Sequence, residues 1–360
     1  MTLLKENLEK LQSIAKERTV KTQTIEYDLE TIVKKINKNV IKLNPDYQRN
    51  HRWTAEASSK LIESLILNIP VPFIYISQDI DVDDEIDEGV ARYSVIDGQQ
   101  RLTAISNFFN NKYSLTDLEV LDALNGCSYN DLPPFLIRRL EERSIRCLRI
   151  DSTLDQQVKY DIFERLNSGS VKLEPQELRN ATCRGPFKAL IKDLSKNSYF
   201  TLNANLERDS KRVTKMEDEE LVLRYFAMTH NDGYKEYKSG FKRFLTKKMT
   251  EFNGYSDADL AAFREEFNQV MKSLNEVMIE FPFAKYKSVG GELQRMSKFN
   301  AAVFDAITLL AKNIYSRKGK LDRDEVLGLF EDDEFFKACE GSVNDIGKIS
   351  IRINKAMELL

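Results

Sequence analysis

The chain has 360 residues, 42% hydrophobic and 31% charged, with a formal net charge of −3, a balance that suits a soluble globular protein long enough for two domains. No run of about eighteen apolar residues occurs, which excludes a transmembrane helix, and the small net charge excludes a global basic field, leaving any nucleic-acid contact to a local patch. The charged N-terminus (MTLLKENLEKLQSIAKER) has no apolar signal-peptide segment, and Cys127, Cys147, Cys183 and Cys339 form no CxxC pair; neither a zinc site nor a disulfide framework is expected, and the cytoplasm is the expected compartment.

In chain order, Leu4, Leu8, Leu11 and Ile14 have near-helical spacing and predict an amphipathic helix over 1–17. Thr24–Leu29 and Val40–Leu43 read as extended, with a short helix around Glu30–Ile36 between them. Asn44–Trp53 (NPDYQRNHRW) contains Pro45 and reads as a loop. Thr54 is a plausible N-cap for a helix that buries Leu61, Ile62, Leu65, Ile66 and Ile69 and stops at Pro70. Phe73–Ser77 is the next strand. Seven acidic residues then crowd Asp79–Glu88; clustered carboxylates can hold a cation, but the spacing matches no known metal loop and a solvated hairpin fits better.

Arg92–Ile96 alternates like a strand, breaks at Asp97-Gly98, and gives way from Arg101 to a helical pattern through Leu102, Ile105 and Phe108. A strand, a glycine turn and a helix start present backbone N–H groups and a positive dipole end to an anion. Asp97, Gly98, Gln99, Gln100 and Arg101 fill that turn with groups no core requires, and it reads as a phosphate or nucleotide site. Asp97 would hold Mg²⁺ through water or orient a water attacking a phosphoanhydride, Gln100 would position that water, and Arg101 would neutralise the transferring phosphoryl group. The competing reading is that Asp97 salt-bridges Arg101 and caps the helix. In the preceding loop, Arg49 and Arg52 suit phosphate oxygens and Tyr47 or Trp53 a stacked base; a loop stapled by its two aromatics is the alternative.

Further on, Asp117–Glu142 reads as loop-rich with Pro133-Pro134, and Ser144–Ile150 as a strand that puts Cys147 in or near the core. Leu154, Val158, Ile162 and Leu166 recur every four residues, predicting a helix that stops at Gly169. Gln176, Glu177, Arg179 and Asn180 form another polar cluster. From Phe187 the pattern is almost entirely helical, clearest in Leu260, Phe263, Phe267, Val270, Met271, Leu274, Val277, Met278 and Phe281, and repeated over Phe299–Ile314 and Ile346–Leu360. The fold class is α+β, with a mixed domain over 1–185 and an all-helical one over 186–360. The long apolar stripes of the second half could supply a homodimer interface.

The two histidines, His51 and His230, have no metal-ligand neighbours, so an HNH-type nuclease site is not expected. His230, near a helix end before Asn231-Asp-Gly233, reads as structural. The GxxxxGK[ST] pattern is missing, excluding a P-loop NTPase.

NPDYQRNHRW, Leu61-Ile-Glu-Ser-Leu65, Ile69-Pro-Val-Pro72 and Val95-Ile-Asp-Gly-Gln-Gln-Arg-Leu-Thr103 closely resemble the N-terminal domain of GmrSD-type, Type IV modification-dependent restriction enzymes. Phe163-Glu-Arg-Leu-Asn-Ser-Gly169 with Leu173-Glu-Pro-Gln-Glu-Leu-Arg-Asn180 resembles that family's second signature, and Glu217–Phe226 its helical continuation; together they cover about residues 25–230. The family is similar in fold to the ParB/sulfiredoxin group, and Gly98-Gln-Gln-Arg101-Leu-Thr-Ala104 fits the GxxRxxA phosphate pattern of ParB CTPases. The resemblance implies nucleoside-triphosphate binding and hydrolysis with Mg²⁺ or another divalent cation, serving DNA restriction in phage defence. It makes Asp97, Gln100 and Arg101 the hydrolytic residues, Asp97 also serving the metal. Tyr47, Gln48, Arg49, Arg52, Gly98, Gln99 and Thr103 become nucleotide contacts, and Asn167, Arg179 and Asn180 close the same pocket. The missing histidines depart from the family's nuclease half, so the expected role is a stand-alone NTPase or sensor, with DNA and a separate nuclease subunit as partners and no membrane. A nucleotide-dependent DNA- or protein-binding switch without turnover is the alternative, and autonomous nuclease activity a third.

Overall fold

The computed structural model describes residues 21–43, 53–78, 92–150, 156–166, 174–183, 185–207, 210–277 and 281–360. The expected helix over 1–17, the loop residues Tyr47, Gln48, Arg49 and Arg52, the acidic stretch 79–88, Leu154, Asn167 and Gly169 lie outside the described residues. The architecture is α+β. Packing divides the chain into two compact units, 1–173 and 174–360; the sequence reading drew its boundary at 185/186.

The first unit opens with β1 (Thr22–Asp28), α1 (Leu29–Asn37) and the two-residue β2 (Ile41–Lys42). Asp28 starts α1 by accepting from Thr31 N at 2.6 Å. Then come α2 (Ala55–Ile66), β3 (Ile74–Gln78), β4 (Tyr93–Asp97), α3 (Gln99–Phe109), α4 (Pro134–Glu141), β5 (Ser144–Ile150) and α5 (Gln156–Leu166). The sheet order is β1-β5-β3-β4-β2; β1 runs antiparallel to β5, β5 parallel to β3, β3 antiparallel to β4, and β4 parallel to β2. Leu29, Ile32, Leu61, Ile62, Leu65, Ile74, Ile76, Val95, Leu102, Ile105, Phe108 and Cys147 make the core. The helical stripes and alternating strand residues that predicted these elements are the ones that pack there.

Four sequence expectations in this unit are corrected. α2 ends at Ile66, before Pro70, because Asn68 takes a left-handed φ of 64° and the Ile69 and Asn68 N–H groups bond back to Ser64 and Leu65 at 2.8 and 3.2 Å, a Schellman stop. Ile69 therefore leaves the helix and is 48% exposed rather than buried. The helix after the Asp97-Gly98 turn, expected from Arg101, begins two residues earlier, at Gln99. The Pro133-Pro134 segment starts α4, with proline in the first turn where its missing N–H costs nothing.

In α5, burial falls on Val158, Tyr160 and Phe163 while Ile162 is half-buried, since an interval of four drifts by about 40° per step on a 3.6-residue helix. α2 also buries polar groups to fasten the 112–132 segment. Glu63 accepts from the Val120 and Leu121 N–H groups at 2.9 and 2.8 Å, and Ser59 Oγ accepts from Thr116 N at 3.0 Å.

The second unit contains α6 (Pro175–Thr182), α7 (Pro186–Leu194), α8 (Ser198–Asn203), α9 (Glu217–Thr229), α10 (Phe241–Phe252), α11 (Asp257–Val277), β6 (Tyr286–Val289), β7 (Glu292–Arg295), α12 (Ala301–Lys318), α13 (Asp333–Ala338) and α14 (Ile346–Glu358). It is not all-helical: β6 and β7 form an antiparallel hairpin turned by Gly290 and Gly291, both at positive φ, a turn that glycine supplies without a Cβ clash. α11 is described as far as Val277, Met278 lies outside the described residues, and the expected last member of the stripe, Phe281, sits at φ 46°, outside helical geometry. Phe226 and Phe263 stack at 4.6 Å in a core shared with Phe187, Phe252 and Phe267.

Three fully or nearly buried charges cross this core. Asp305 on α12 accepts from Arg224 on α9 through Nε and, at 2.5 Å, Nη2, and from Arg352 on α14 at 2.7 Å. Arg224 lies 4.1 Å from the Phe241 ring, and Arg352 also reaches the Val343 carbonyl at 2.7 Å. Removing the one carboxylate leaves two buried cations unpaired. Asp305→Asn is expected to cost about 3–5 kcal/mol, seen as a lower urea midpoint for the helical unit; an unchanged midpoint would mean that the two arginines find other compensation.

Candidate functional site

β4 delivers Asp97 to the sheet end through an irregularity in its pairing with β3. Ile76 lies opposite Val95 and Tyr75 opposite Asp97, so Ile96 has no opposite residue. Such a bulge turns the following side chain to a different face and is common beside functional sites. Gly98 follows at φ 93°, and α3 begins at the next residue with no side-chain cap. A Cβ on Gly98 would lie 2.3 Å from Ile74 Cδ1 and 3.2 Å from Arg101 Nη2. Glycine is thus required twice here, for the backbone angle and for the room.

Arg101, one helical turn on, folds back over that glycine. Its Nη2 donates to Asp97 Oδ2 at 2.9 Å and its Nη1 to the Pro72 carbonyl. The Arg101 side chain is 12% exposed and the Asp97 side chain 34%. Burial lowers the guanidinium's pKa from its ordinary value and Asp97 opposes the shift; an arginine stays charged through such a change. Cys147 in β5 is buried, and burial pushes its thiol up to about 12 with Arg101 acting against it, so it is a protonated core residue rather than a nucleophile.

The turn gathers Asp97, Gly98, Gln99, Gln100 and Arg101 within one sheet end and helix start. The salt bridge of the competing reading is present; the cap is not, because Gly98 holds the cap position and has no side chain to accept from the first-turn N–H groups. Gln100 Oε1 accepts from the Trp53 backbone N–H at 3.3 Å, and β2 runs parallel beside Tyr93 and Ser94. Tyr47, Gln48, Arg49 and Arg52 lie outside the described residues. Gln99 is buried and Thr103 half-buried on α3.

Arg179 and Asn180 belong to the second unit and are buried there. Arg179 Nε donates to Gln176 at 2.8 Å and its Nη2 to Glu220; Asn180 donates to Glu219 at 2.6 Å and accepts from Gln176 at 3.0 Å. Burial raises the pKa of Glu219, with Asn180 opposing it. These bonds hold α6 on α9. His230 caps the end of α9 in an aromatic setting, 3.2 Å from Tyr255 Oη.

Sequence reasoning missed Pro72 and Trp53 as backbone partners of Arg101 and Gln100. Neither has a side-chain signal, because both act through the main chain. Among the described residues no three His, Cys, Asp or Glu side chains converge as a metal-binding group, and no helix is long and apolar enough to cross a membrane.

Gly98→Ala is expected to destabilise the chain by about 2–3 kcal/mol, from the left-handed angle and the overlap with Ile74. Urea unfolding reads the loss, and Ile74→Val, by shortening the clashing side chain, should restore part of it.

Comparison with known proteins finds the family model described as GmrSD restriction endonuclease, N-terminal domain, matching residues 29–183. No curated protein and no solved structure matches the chain. The matched stretch holds α1 to α6, including the whole Asp97–Arg101 turn. Over residues 29–183 the chain is thus similar to the N-terminal domain of the GmrSD restriction endonuclease family.

Proposed function

We propose that this protein is a nucleoside-triphosphate-binding and hydrolysing component of a DNA restriction or antiphage defence system, working through the Asp97–Arg101 turn. The observation that carries the reading is the arrangement of a partly exposed carboxylate and a largely covered arginine over a left-handed glycine at the start of a helix with no side-chain cap. The first-turn N–H groups of a helix have no intrahelical acceptors and favour an anion. The family match supplies the biological setting, since the matched family is that of a restriction endonuclease's N-terminal domain.

In this scheme phosphate oxygens lie against the start of α3, with Gly98, Gln99 and Thr103 as contacts and Arg101 facing the charge that develops on the transferring phosphoryl group. Asp97 orients the attacking water and Gln100 helps to place it. Tyr47, Gln48, Arg49, Arg52 and Asn167 are proposed to complete the nucleotide's surroundings. Arg179 and Asn180 are not needed; their bonds serve the second unit.

A divalent cation fits only as a companion of the nucleotide, held by Asp97 through water, because one Asp97 oxygen already accepts from Arg101. When bound, Mg²⁺ would offset the charge of the phosphates. DNA and a separate nuclease subunit are the proposed partners.

One feature favours the alternative, a nucleotide-dependent switch without turnover. Gln100 and Arg101 both bond to backbone groups, of Trp53 and Pro72, so a ligand that moved them would move those segments. Phosphate release with each of the four nucleoside triphosphates and Mg²⁺, with and without DNA, separates the readings. The enzyme reading expects turnover that falls at least a hundredfold in Asp97→Ala with binding retained, roughly the loss seen when one catalytic group is deleted. Binding without turnover by the unaltered protein would establish the switch.

A further inference from the structure

We propose that the Asp97–Arg101 ion pair is the resting lock of this site, and that a terminal phosphate binds by displacing Asp97 from Arg101. The proposal rests on the nucleotide reading above and adds how the site is held between ligands.

The two ends of the guanidinium differ. Nη1 is fixed to the main chain at Pro72. Nη2 is the nitrogen that passes over Gly98, 3.2 Å from where a Cβ would stand, and it is the one Asp97 occupies at 2.9 Å. An oxyanion arriving at the glycine turn meets this edge of the arginine with a carboxylate already on it. Two anions on one N–H edge repel each other, and the planar fork of arginine suits phosphate as well as carboxylate.

Asp97 is the partner free to yield. Its side chain is 34% exposed against 12% for Arg101, and it stands at the strand end beyond a bulge, whereas Arg101 retains its bond to Pro72. Exchange therefore leaves the arginine in place and frees the carboxylate at the moment a nucleotide is present. Until then the arginine's charge is neutralised and an inappropriate anion must compete for it.

The test is equilibrium binding of ATP, GTP, CTP and UTP to the full chain by calorimetry, once with EDTA and once with Mg²⁺. Asp97→Asn keeps an acceptor for Nη2 but removes the competing charge. In EDTA it is expected to bind the preferred nucleotide about three- to tenfold more tightly than the unaltered protein, the scale of a partly exposed ion pair. In Mg²⁺ the gain should shrink, because the released Asp97 then has a new counter-charge. Asp97→Ser carries the same expectation should the asparagine variant fold poorly, and Arg101→Gln should lose binding in both conditions. Equal or weaker binding by both Asp97 variants in EDTA, while the unaltered protein binds, would overturn the lock and leave the nucleotide site standing. No binding by any of these proteins would overturn both.

Discussion

A single planar guanidinium fastens two places in the chain that are far apart in sequence. Arg101 bonds to Asp97 at the end of β4 and to the carbonyl of Pro72 just ahead of β3. β3 lies between β4 and β5 and joins the ends of the sheet, so the residue that closes the β4–α3 turn also fixes where the central strand begins. Gly98 makes this possible by leaving no Cβ between the arginine and Ile74. A lysine has the charge but not the fork, and cannot hold two acceptors in fixed directions. The same requirement serves the fold and the chemistry proposed for the turn.

Around that turn the polar groups divide by what they touch. Glu63 and Ser59 lie on the buried side of α2 and accept from backbone N–H groups of the 112–132 segment, a use that keeps polar atoms satisfied where water does not reach. Gln100 also accepts from a backbone group, but it does so at the helix start beside Asp97. Polar side chains that hold loops in the core are structural wherever they occur. Those at the β4–α3 turn sit at a helix start, with Asp97 placed just past the bulge at Ile96.

Much of the fold is legible in the sequence because periodicity reports burial directly. The apolar stripe of α11, with Leu260, Phe263, Phe267, Val270, Met271 and Leu274 in the core, and the strand holding Cys147 are cases where one residue pattern has one structural solution. The failures cluster at ends and turns. Asn68 ends α2 by adopting a left-handed conformation that glycine more often supplies, and Pro134 begins a helix although a proline pair reads as a loop. Gly290-Gly291 turns a hairpin inside a helical stretch. Each depends on a single backbone angle, which composition does not reveal. The Asp97–Arg101 turn was legible because strand, glycine and helix are contiguous. Pro72 and Trp53 were not, since a carbonyl and an amide carry no sequence signal.

The polar cluster after residue 173 shows why polarity alone does not locate a site. Gln176, Glu177, Arg179 and Asn180 have no place in an apolar core, yet all four are buried, and Arg179 and Asn180 bond to Glu220 and Glu219 some forty residues later. The sequence of α6 and the acidic start of α9 are two halves of one network, and either half alone looks like a binding site. Arg224, Asp305 and Arg352 repeat the arrangement with every member buried. The Asp97–Arg101 pair is asymmetric, its arginine 12% exposed and bonded to two groups, its carboxylate 34% exposed at the start of α3; Arg179–Glu220, at 0% and 29%, shares that asymmetry. A pair buried on both sides is fixed by the desolvation that separation would not recover. A pair with one side open can exchange its partner for another anion, and at the β4–α3 turn such a pair stands beside a left-handed glycine at a helix start, the combination on which the proposed site rests.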